Sequence, residues 1–336
     1  MTKIAINGFG RIGRAAFKLV LEKDGLEIVA INDLTDNETL AHLLKYDTVY
    51  RKYNKEVKGD VEGIEVDGKR YKVYEEKEPD KLPWKDLEVD IVLECTGRFR
   101  KKEDAELHIK AGAKQVILSA PAKGDGVKSC VIGVNDADYD VTSNQVMDNA
   151  SCTTNSVAPV MDVLHRKFGI KKAMLTTIHS YTSDQNLIDG PHKDLRRARA
   201  AAQNIVPTTT GAAKATANTI PDLKGIFDGY AVRVPTVDVS LSDLTILLKK
   251  ETTEEEVNDV LKKASESDQY KGILGVTDEP LVSSDLIGNS HSTIVDLGLT
   301  KIVDGDLLKI VTWYDNEWGY ASRLVDMAER VGRKVK

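Results

Sequence analysis

Three glycines in the spacing Gly8-x-Gly10-x-x-Gly13, a carboxylate at Asp33, a thiol at Cys152 and an imidazole at His179 are the groups of this 336-residue chain best placed to do chemistry. The glycines follow the apolar run Ile4-Ala5-Ile6 and open a helical pattern through Ala15, Leu19 and Val20. Glycine at such positions permits a tight turn, close approach of backbone to a pyrophosphate, and close helix–strand packing; the helix N-terminus adds unpaired N–H groups. Asp33 stands 20 residues after Gly13, just past a second apolar run at 28–31. A carboxylate there accepts hydrogen bonds from ribose hydroxyls and repels a 2′-phosphate, which favours NAD over NADP. The glycines alone would also fit an ordinary turn. Strand, spacing and acid together point to a dinucleotide.

Cys152 lies in Ala150-Ser151-Cys152-Thr153-Thr154-Asn155, where a short strand meets a long helical pattern with Val157, Met161, Leu164 and Phe168 on one face. A helix N-terminus stabilises a thiolate, and the hydroxyls of Ser151 and Thr153 suit an oxyanion or a phosphate. The alternative is a buried, inert thiol, the commoner fate of a free cysteine. That fate is expected for Cys95 and Cys130, which sit in or beside apolar strands. Of the six histidines, His42, His108 and His165 fall on helical patterns, His192 in a polar loop and His291 at a strand entry. His179 ends an apolar strand and precedes Ser180-Tyr181-Thr182. From position alone it fits either a base for the thiol or a structural histidine.

The elements that must position these groups fall into two sets. Short apolar runs alternate with helices in the first half, the mark of parallel strands buried on both faces. Strands are expected at 90–95, 114–120, 130–134 and 145–147, with a helix at 102–111. Val66-Asp67-Gly68-Lys69 reads as a hairpin turn inside a charged excursion at 51–90. Later segments, at 173–180, 229–241 and 292–303, read as longer antiparallel strands, with an exposed amphipathic helix at 253–265. The expected fold is α/β: a Rossmann-type, doubly wound parallel sheet over 1–151, completed by a C-terminal helix at 317–336, and an α+β catalytic domain with a large, mainly antiparallel sheet over 152–316.

Composition narrows the class. A net charge of −6 and a pI near 5.7 disfavour nucleic acid as the main ligand. Three widely spaced cysteines with no C-x-x-C make neither a disulfide framework nor a zinc site, so no metal is expected. No secretory h-region and no apolar run of about 18 residues occurs, so a cytoplasmic protein without a membrane segment is expected.

Asn7-Gly8-Phe9-Gly10-Arg11-Ile12-Gly13-Arg14, the block ASCTTNSVAP at 150–159 and YDNEWGY at 314–320 closely resemble the phosphorylating glyceraldehyde-3-phosphate dehydrogenases, over essentially the whole chain. The resemblance implies that Cys152 attacks an aldehyde and that His179 activates it. It implies an NAD cofactor held by Gly8, Gly10, Arg11, Ile12, Asp33, Lys77, Ser119 and Asn316, with Phe99 near its rings. Thr182 and Arg233 resemble the site for the phosphate of glyceraldehyde 3-phosphate. Ser151, Thr153, Arg197, Thr210 and Gly211 resemble the site for inorganic phosphate. For Arg196, Arg197 and Arg199 a basic surface loop is the competing reading. The loop at 180–207 resembles a segment that reaches a neighbouring subunit, which implies a homotetramer. Erythrose-4-phosphate dehydrogenase is the alternative activity. Two positions depart from the family pattern, Lys77 before Glu78-Pro79 and the pair Gly190-Pro191; both bear on how strictly NADP is excluded.

Overall fold

The structure, a computed structural model, describes residues 1–335. The chain divides into two compact units: residues 1–130, 138–150 and 321 onward form the first, and residues 131–137 and 151–320 the second.

In the first unit, β1 (Thr2–Asn7) leads through a glycine turn into α1 (Arg11–Val20) and on to β2 (Leu26–Asn32) and α2 (Asn37–Lys45). The Asp36 side chain caps α2 by accepting from Thr39 N at 2.8 Å. The charged excursion holds the short pair β3 (Tyr46–Asp47) and β4 (Arg51–Lys52), then an antiparallel sheet of β5 (Val57–Asp60), β6 (Gly63–Val66) and β7 (Lys69–Tyr71). Val66 pairs with Lys69. Asp67 and Gly68, at φ 48° and 81°, form the two-residue turn the sequence indicates. The chain re-enters the main sheet with β8 (Val73–Tyr74), β9 (Ile91–Glu94), α3 (Lys102–Lys110), β10 (Gln115–Leu118), β11 (Lys128–Ser129) and β12 (Val146–Asp148).

The main sheet has the order β11-β12-β10-β9-β1-β2-β8, with parallel pairings. Strands that are apolar on both faces need cover on both, which explains the buried run Ile91–Glu94 and the core built from Ala5, Ala30, Val92, Val116 and Trp84. Winding reverses where β1 lies between β9 and β2. At such a switch point the connections diverge and leave a crevice at the strands' carboxyl ends. The strand expected at 130–134 is instead a turn. Gly133 has φ 84°, and the side chains of Asn135 and Asp136 accept from Val131 N and Gly133 N at 2.8 and 2.7 Å, satisfying donors that a strand ladder would have used.

In the second unit, α4 (Cys152–Phe168) is followed by β13 (Ile170–Ser180), β14 (Val206–Thr209), α5 (Ala212–Thr219), β15 (Phe227–Val234), β16 (Ser240–Leu248), α6 (Glu254–Glu266), β17 (Leu274–Thr277), β18 (Thr293–Asp296), β19 (Lys301–Val303) and β20 (Leu307–Tyr314). The helix α7 (Trp318–Val335) ends the chain. The sheet order is β14-β15-β13-β16-β20-β18-β17, with β19 on β20. It is mainly antiparallel, but β13 pairs with β15 in parallel. The expected strand at 229–241 is therefore two strands, broken at 235–239, where Val239 takes φ 65°. β13 gains one neighbour from each. The apolar face of α4 (Val157, Val160, Met161, Leu164) packs on this sheet through Leu175, Leu244 and Ile310. No helix of the described residues is long and apolar enough to cross a membrane.

Candidate active site

A cleft of about 470 Å³ opens at the switch point of the first unit, lined by Gly8, Gly10, Asp33, Lys77, Thr96 and Phe99 among others. Each glycine has a separate steric reason. Gly8 has φ 94°, and a Cβ there would lie 2.7 Å from Thr96 N. A Cβ at Gly13 would lie 2.1 Å from Gly8 O, so only glycine lets α1 start this close to the turn. Gly10 meets nothing within 4 Å and faces open space, as a position beside a bound group should. Gly10 gives α1 no side-chain cap, and no acidic side chain lies in the first turn. The N–H groups at Arg11 and Ile12 thus begin a helix whose positive end carries no carboxylate of its own. The guanidinium of Arg11 is turned to Asp47, 2.5 Å away.

Asp33 Oδ2 accepts from Phe9 N at 2.7 Å, and Oδ1 from Thr35 N at 3.0 Å. These bonds lock the carboxylate and leave each oxygen a further lone pair, as a ribose diol requires. Lys77 is exposed on the cleft wall. Ser119 follows β10, gives its backbone N–H to Glu94 O at 2.9 Å and hydrogen-bonds the thiol of Cys95. Cys95 lines the cleft, and burial pushes its thiol far up. Gap, a helix start with no side-chain cap and a fixed carboxylate fit an adenine dinucleotide without a 2′-phosphate.

In the second unit Ser151 caps α4, accepting from Thr154 N at 3.0 Å, and Cys152 is the first helical residue. Cys152 Sγ lies 3.5 Å from His179 Nε2. His179 reaches the thiol from β13, with Nδ1 2.7 Å from Ser180 O and 2.9 Å from Arg233 Nη1. Arg233 Nη1 donates to the same carbonyl at 2.9 Å. A guanidinium has no acceptor. If Nδ1 accepted from Arg233, its lone pair would face that of the carbonyl at 2.7 Å. The consistent assignment has Nδ1–H and Arg233 both donating to Ser180 O, which leaves the Nε2 lone pair facing the thiol. Burial and the Arg233 charge hold the imidazole down to about 3. Burial pushes the Cys152 thiol up, opposed by Arg233 and by Thr153. The resting pair is therefore a neutral thiol against a neutral, correctly oriented base.

Arg233 on β15 pairs in register with His179 on β13, and its Nη1 reaches Thr182 Oγ1 at 3.5 Å. Among the three loop arginines, Arg197 is the one brought to this place. Its Nε donates to Thr208 Oγ1 at 2.9 Å, Nη2 to Thr209 O at 3.1 Å and Nη1 to Asp184. Its charge bears on both His179 and Arg233. Arg199 pairs with Asp189 on the surface, and Arg196 lines a depression shared with Thr208, Thr209, Thr210 and Tyr230. Thr210 accepts from Ala212 N at 3.2 Å at the start of α5, whose N-cap is Gly211. The Thr153 hydroxyl turns inward to Tyr314 Oη at 2.9 Å, so its contribution to an anion would come from backbone. Asn316 Oδ1 accepts from Ser180 Oγ at 2.9 Å and Ser240 Oγ at 2.7 Å, which fixes its amide with Nδ2 as the remaining donor end. Ser180, Ser240, Asp184 and Tyr314 are site residues the sequence did not single out. Ser180, next to His179 at a strand end, and Tyr314, the first residue of the YDNEWGY block, carried some signal.

A doubly wound dinucleotide unit joined in one chain to a unit bearing a half-buried thiol beside a buried histidine defines a cofactor-dependent oxidoreductase with a thiol nucleophile. The glyceraldehyde 3-phosphate dehydrogenase NAD binding domain matches residues 2–102, and the C-terminal domain of the same family matches residues 151–316. Glyceraldehyde-3-phosphate dehydrogenase 1 of Bacillus cereus is 55% identical over 98% of both chains. The enzyme of Geobacillus stearothermophilus is 53% identical over 99% of this chain and 98% of its own, and that of Thermotoga maritima 56% over 98% of both. The chain belongs to the glyceraldehyde-3-phosphate dehydrogenase family.

Gly13→Ala would force a methyl against the Gly8 carbonyl. Overpacking of this kind costs about 1–3 kcal/mol, so NAD affinity should fall roughly tenfold or more. Calorimetric titration checks this; an unchanged affinity would mean that the turn is not the pyrophosphate site.

Proposed function

We propose that Cys152 and His179 carry out the reaction of this family, the oxidation of glyceraldehyde 3-phosphate with NAD and inorganic phosphate to 1,3-bisphosphoglycerate. The observation that carries the residue assignment is the Sγ–Nε2 approach of 3.5 Å with Nδ1–H held on the Ser180 carbonyl. On this reading Sγ attacks the aldehyde carbon while its proton passes to Nε2 and from there to the carbonyl oxygen, giving a hemithioacetal and leaving Nε2 free again. NAD, when bound, supplies the two-electron acceptor. His179 takes the hydroxyl proton of the hemithioacetal as it is oxidised, and a thioester remains on Cys152. Inorganic phosphate attacks the thioester carbon, and Sγ leaves and recovers a proton. A thioester keeps enough acyl-transfer energy to form the acyl phosphate.

Thr182 and Arg233 are assigned to the substrate phosphate. Arg197, Thr210 and Gly211, with Ser151 and Thr153, are assigned to the attacking phosphate. Arginine forks and helix N-termini suit both anions. Gly8, Gly10, Arg11, Ile12, Asp33, Lys77 and Ser119 are assigned to the cofactor, and the Nδ2 donor of Asn316 to its carboxamide. Residues 1–151 with the helix at 317–336 would serve the cofactor and 152–316 the chemistry; the compact-unit boundary at 150/151 supports this division. The loop at 180–207 leaves Leu187, Ile188, Leu195 and Ile205 at 80, 76, 81 and 71% exposure. So much bare aliphatic surface supports assembly with further copies of the chain, as a homotetramer. Three cysteines in no disulfide, one of them the nucleophile, suit the reducing cytoplasm.

NADH absorbance with glyceraldehyde 3-phosphate and NAD should rise continuously only when inorganic phosphate is present, and weakly with erythrose 4-phosphate. A single stoichiometric burst with phosphate present, or turnover indifferent to it, would overturn the thioester reading. His179→Asn should lower turnover roughly a hundredfold or more and slow alkylation of Cys152 by iodoacetamide at neutral pH; alkylation at the wild-type rate would remove His179 as the base. Analytical ultracentrifugation should give a mass four times that of the 37.0 kDa chain, and a monomer would refute the assembly.

A further inference from the structure

Behind the cleft of the first unit runs a buried polar chain that none of the assignments above uses. Glu94, the last residue of β9, is 2% exposed, and His108 on α3 is 0% exposed. Glu94 Oε2 lies 2.5 Å from Asn7 Nδ2 and 3.1 Å from His108 Nε2. Glu94 Oε1 accepts from Thr96 N at 2.8 Å and from the Thr96 hydroxyl. Trp84 Nε1 is 2.9 Å from His108 Nδ1. An indole N–H only donates, so Nδ1 accepts and the His108 proton sits on Nε2, directed at Glu94. Trp84 thereby fixes the tautomer that lets His108 hold the carboxylate.

The chain continues to the cleft wall on two sides. Thr96 Oγ1 accepts from Arg98 N at 3.0 Å, which ties down the turn leading to Phe99. Asn7 Oδ1 accepts from Asn32 Nδ2 at 2.7 Å, and Asn32 Oδ1 from Glu76 N at 2.9 Å. Asn7, Asn32, Glu76, Thr96 and Phe99 all line the cleft. Four donors meet on one buried carboxylate, so a change at Glu94 reaches both walls.

We propose that Glu94, oriented by His108 and Trp84, is a positioning residue for NAD that holds the Thr96–Phe99 wall and the Asn7 amide in their binding geometry. This rests on the cleft being the NAD site, so wild-type NAD binding is measured first; its failure would count against that reading and not against Glu94. Glu94→Gln replaces an acceptor with an amide N–H₂ that opposes the donors already there. The NAD dissociation constant should rise roughly tenfold, the effect of losing a charge-assisted hydrogen bond, in a protein that stays folded at the assay temperature with a lowered thermal midpoint. His108→Gln, which can keep both bonds, should lose less NAD affinity than His108→Leu, which keeps neither. Nitrogen NMR of histidine-labelled, cofactor-free wild type needs no variant: His108 Nδ1 should be unprotonated and Nε2 protonated. A folded Glu94→Gln protein with wild-type NAD affinity, equal losses in the two His108 variants, or a protonated Nδ1 would each overturn the proposal.

Discussion

The second unit depends on what the backbone of Ser180 accepts and donates. Its carbonyl takes two donors, His179 Nδ1 and Arg233 Nη1. Its N–H bonds Ser240 Oγ at 3.1 Å, and its hydroxyl bonds Asn316 Oδ1. One residue at the end of β13 thus sets the imidazole tautomer, the position of the guanidinium and the flip of an amide. A buried carbonyl has two lone pairs and must be paired. Here both are used on charged or titratable side chains, which converts an obligatory backbone demand into the orientation of a site.

The first unit obeys a different constraint, the distance of closest approach between backbone segments. Gly13 exists because a carbonyl stands where its side chain would be. The same closeness starts α1 from the N-cap Gly10, which has no side chain to cap it. Asp33 is then held by backbone N–H groups on both oxygens, which keeps it rigid. A flexible surface acid could accept from a ribose. A fixed one can also discriminate, because it cannot swing away from an added phosphate.

The alternation of short apolar runs with helices made the first fold legible, since parallel strands buried on both faces leave little freedom in sequence. Cys152 at a helix start was legible for a similar reason: capping residues such as Ser151 announce helix ends locally. The second sheet was harder. Residues 229–241 look like one strand because apolar character continues through them, and the break at Val239 is a matter of dihedral angle. The parallel pairing of β13 with β15 is a long-range choice that no local pattern encodes, yet it places Arg233 beside His179. Arg196, Arg197 and Arg199 could not be told apart for the same reason. Only the folded loop shows which guanidinium meets Thr208 and Thr209. Ser240 and Tyr314 escaped notice because their roles come from the register across β16 and β20.

The partial desolvation of the Cys–His pair has a chemical consequence that full exposure would lack. Both groups are pushed toward their neutral forms, the thiol by desolvation alone and the imidazole by desolvation reinforced by Arg233. A neutral thiol is a poor nucleophile toward adventitious electrophiles, yet its proton already faces a free lone pair. With the substrate phosphate assigned to Arg233, an aldehyde arriving with that phosphate brings negative charge to this guanidinium. That partly cancels the field that holds His179 down, to which Arg233 contributes more than Arg197. On this reading the substrate's own phosphate raises the basicity of the residue that must take the proton, so the nucleophile is armed most strongly when a substrate carrying the correct charge is present. An aldehyde without that phosphate would leave the pair in its neutral resting form, and the preference for a phosphorylated substrate would then be expressed in the chemical step as well as in binding.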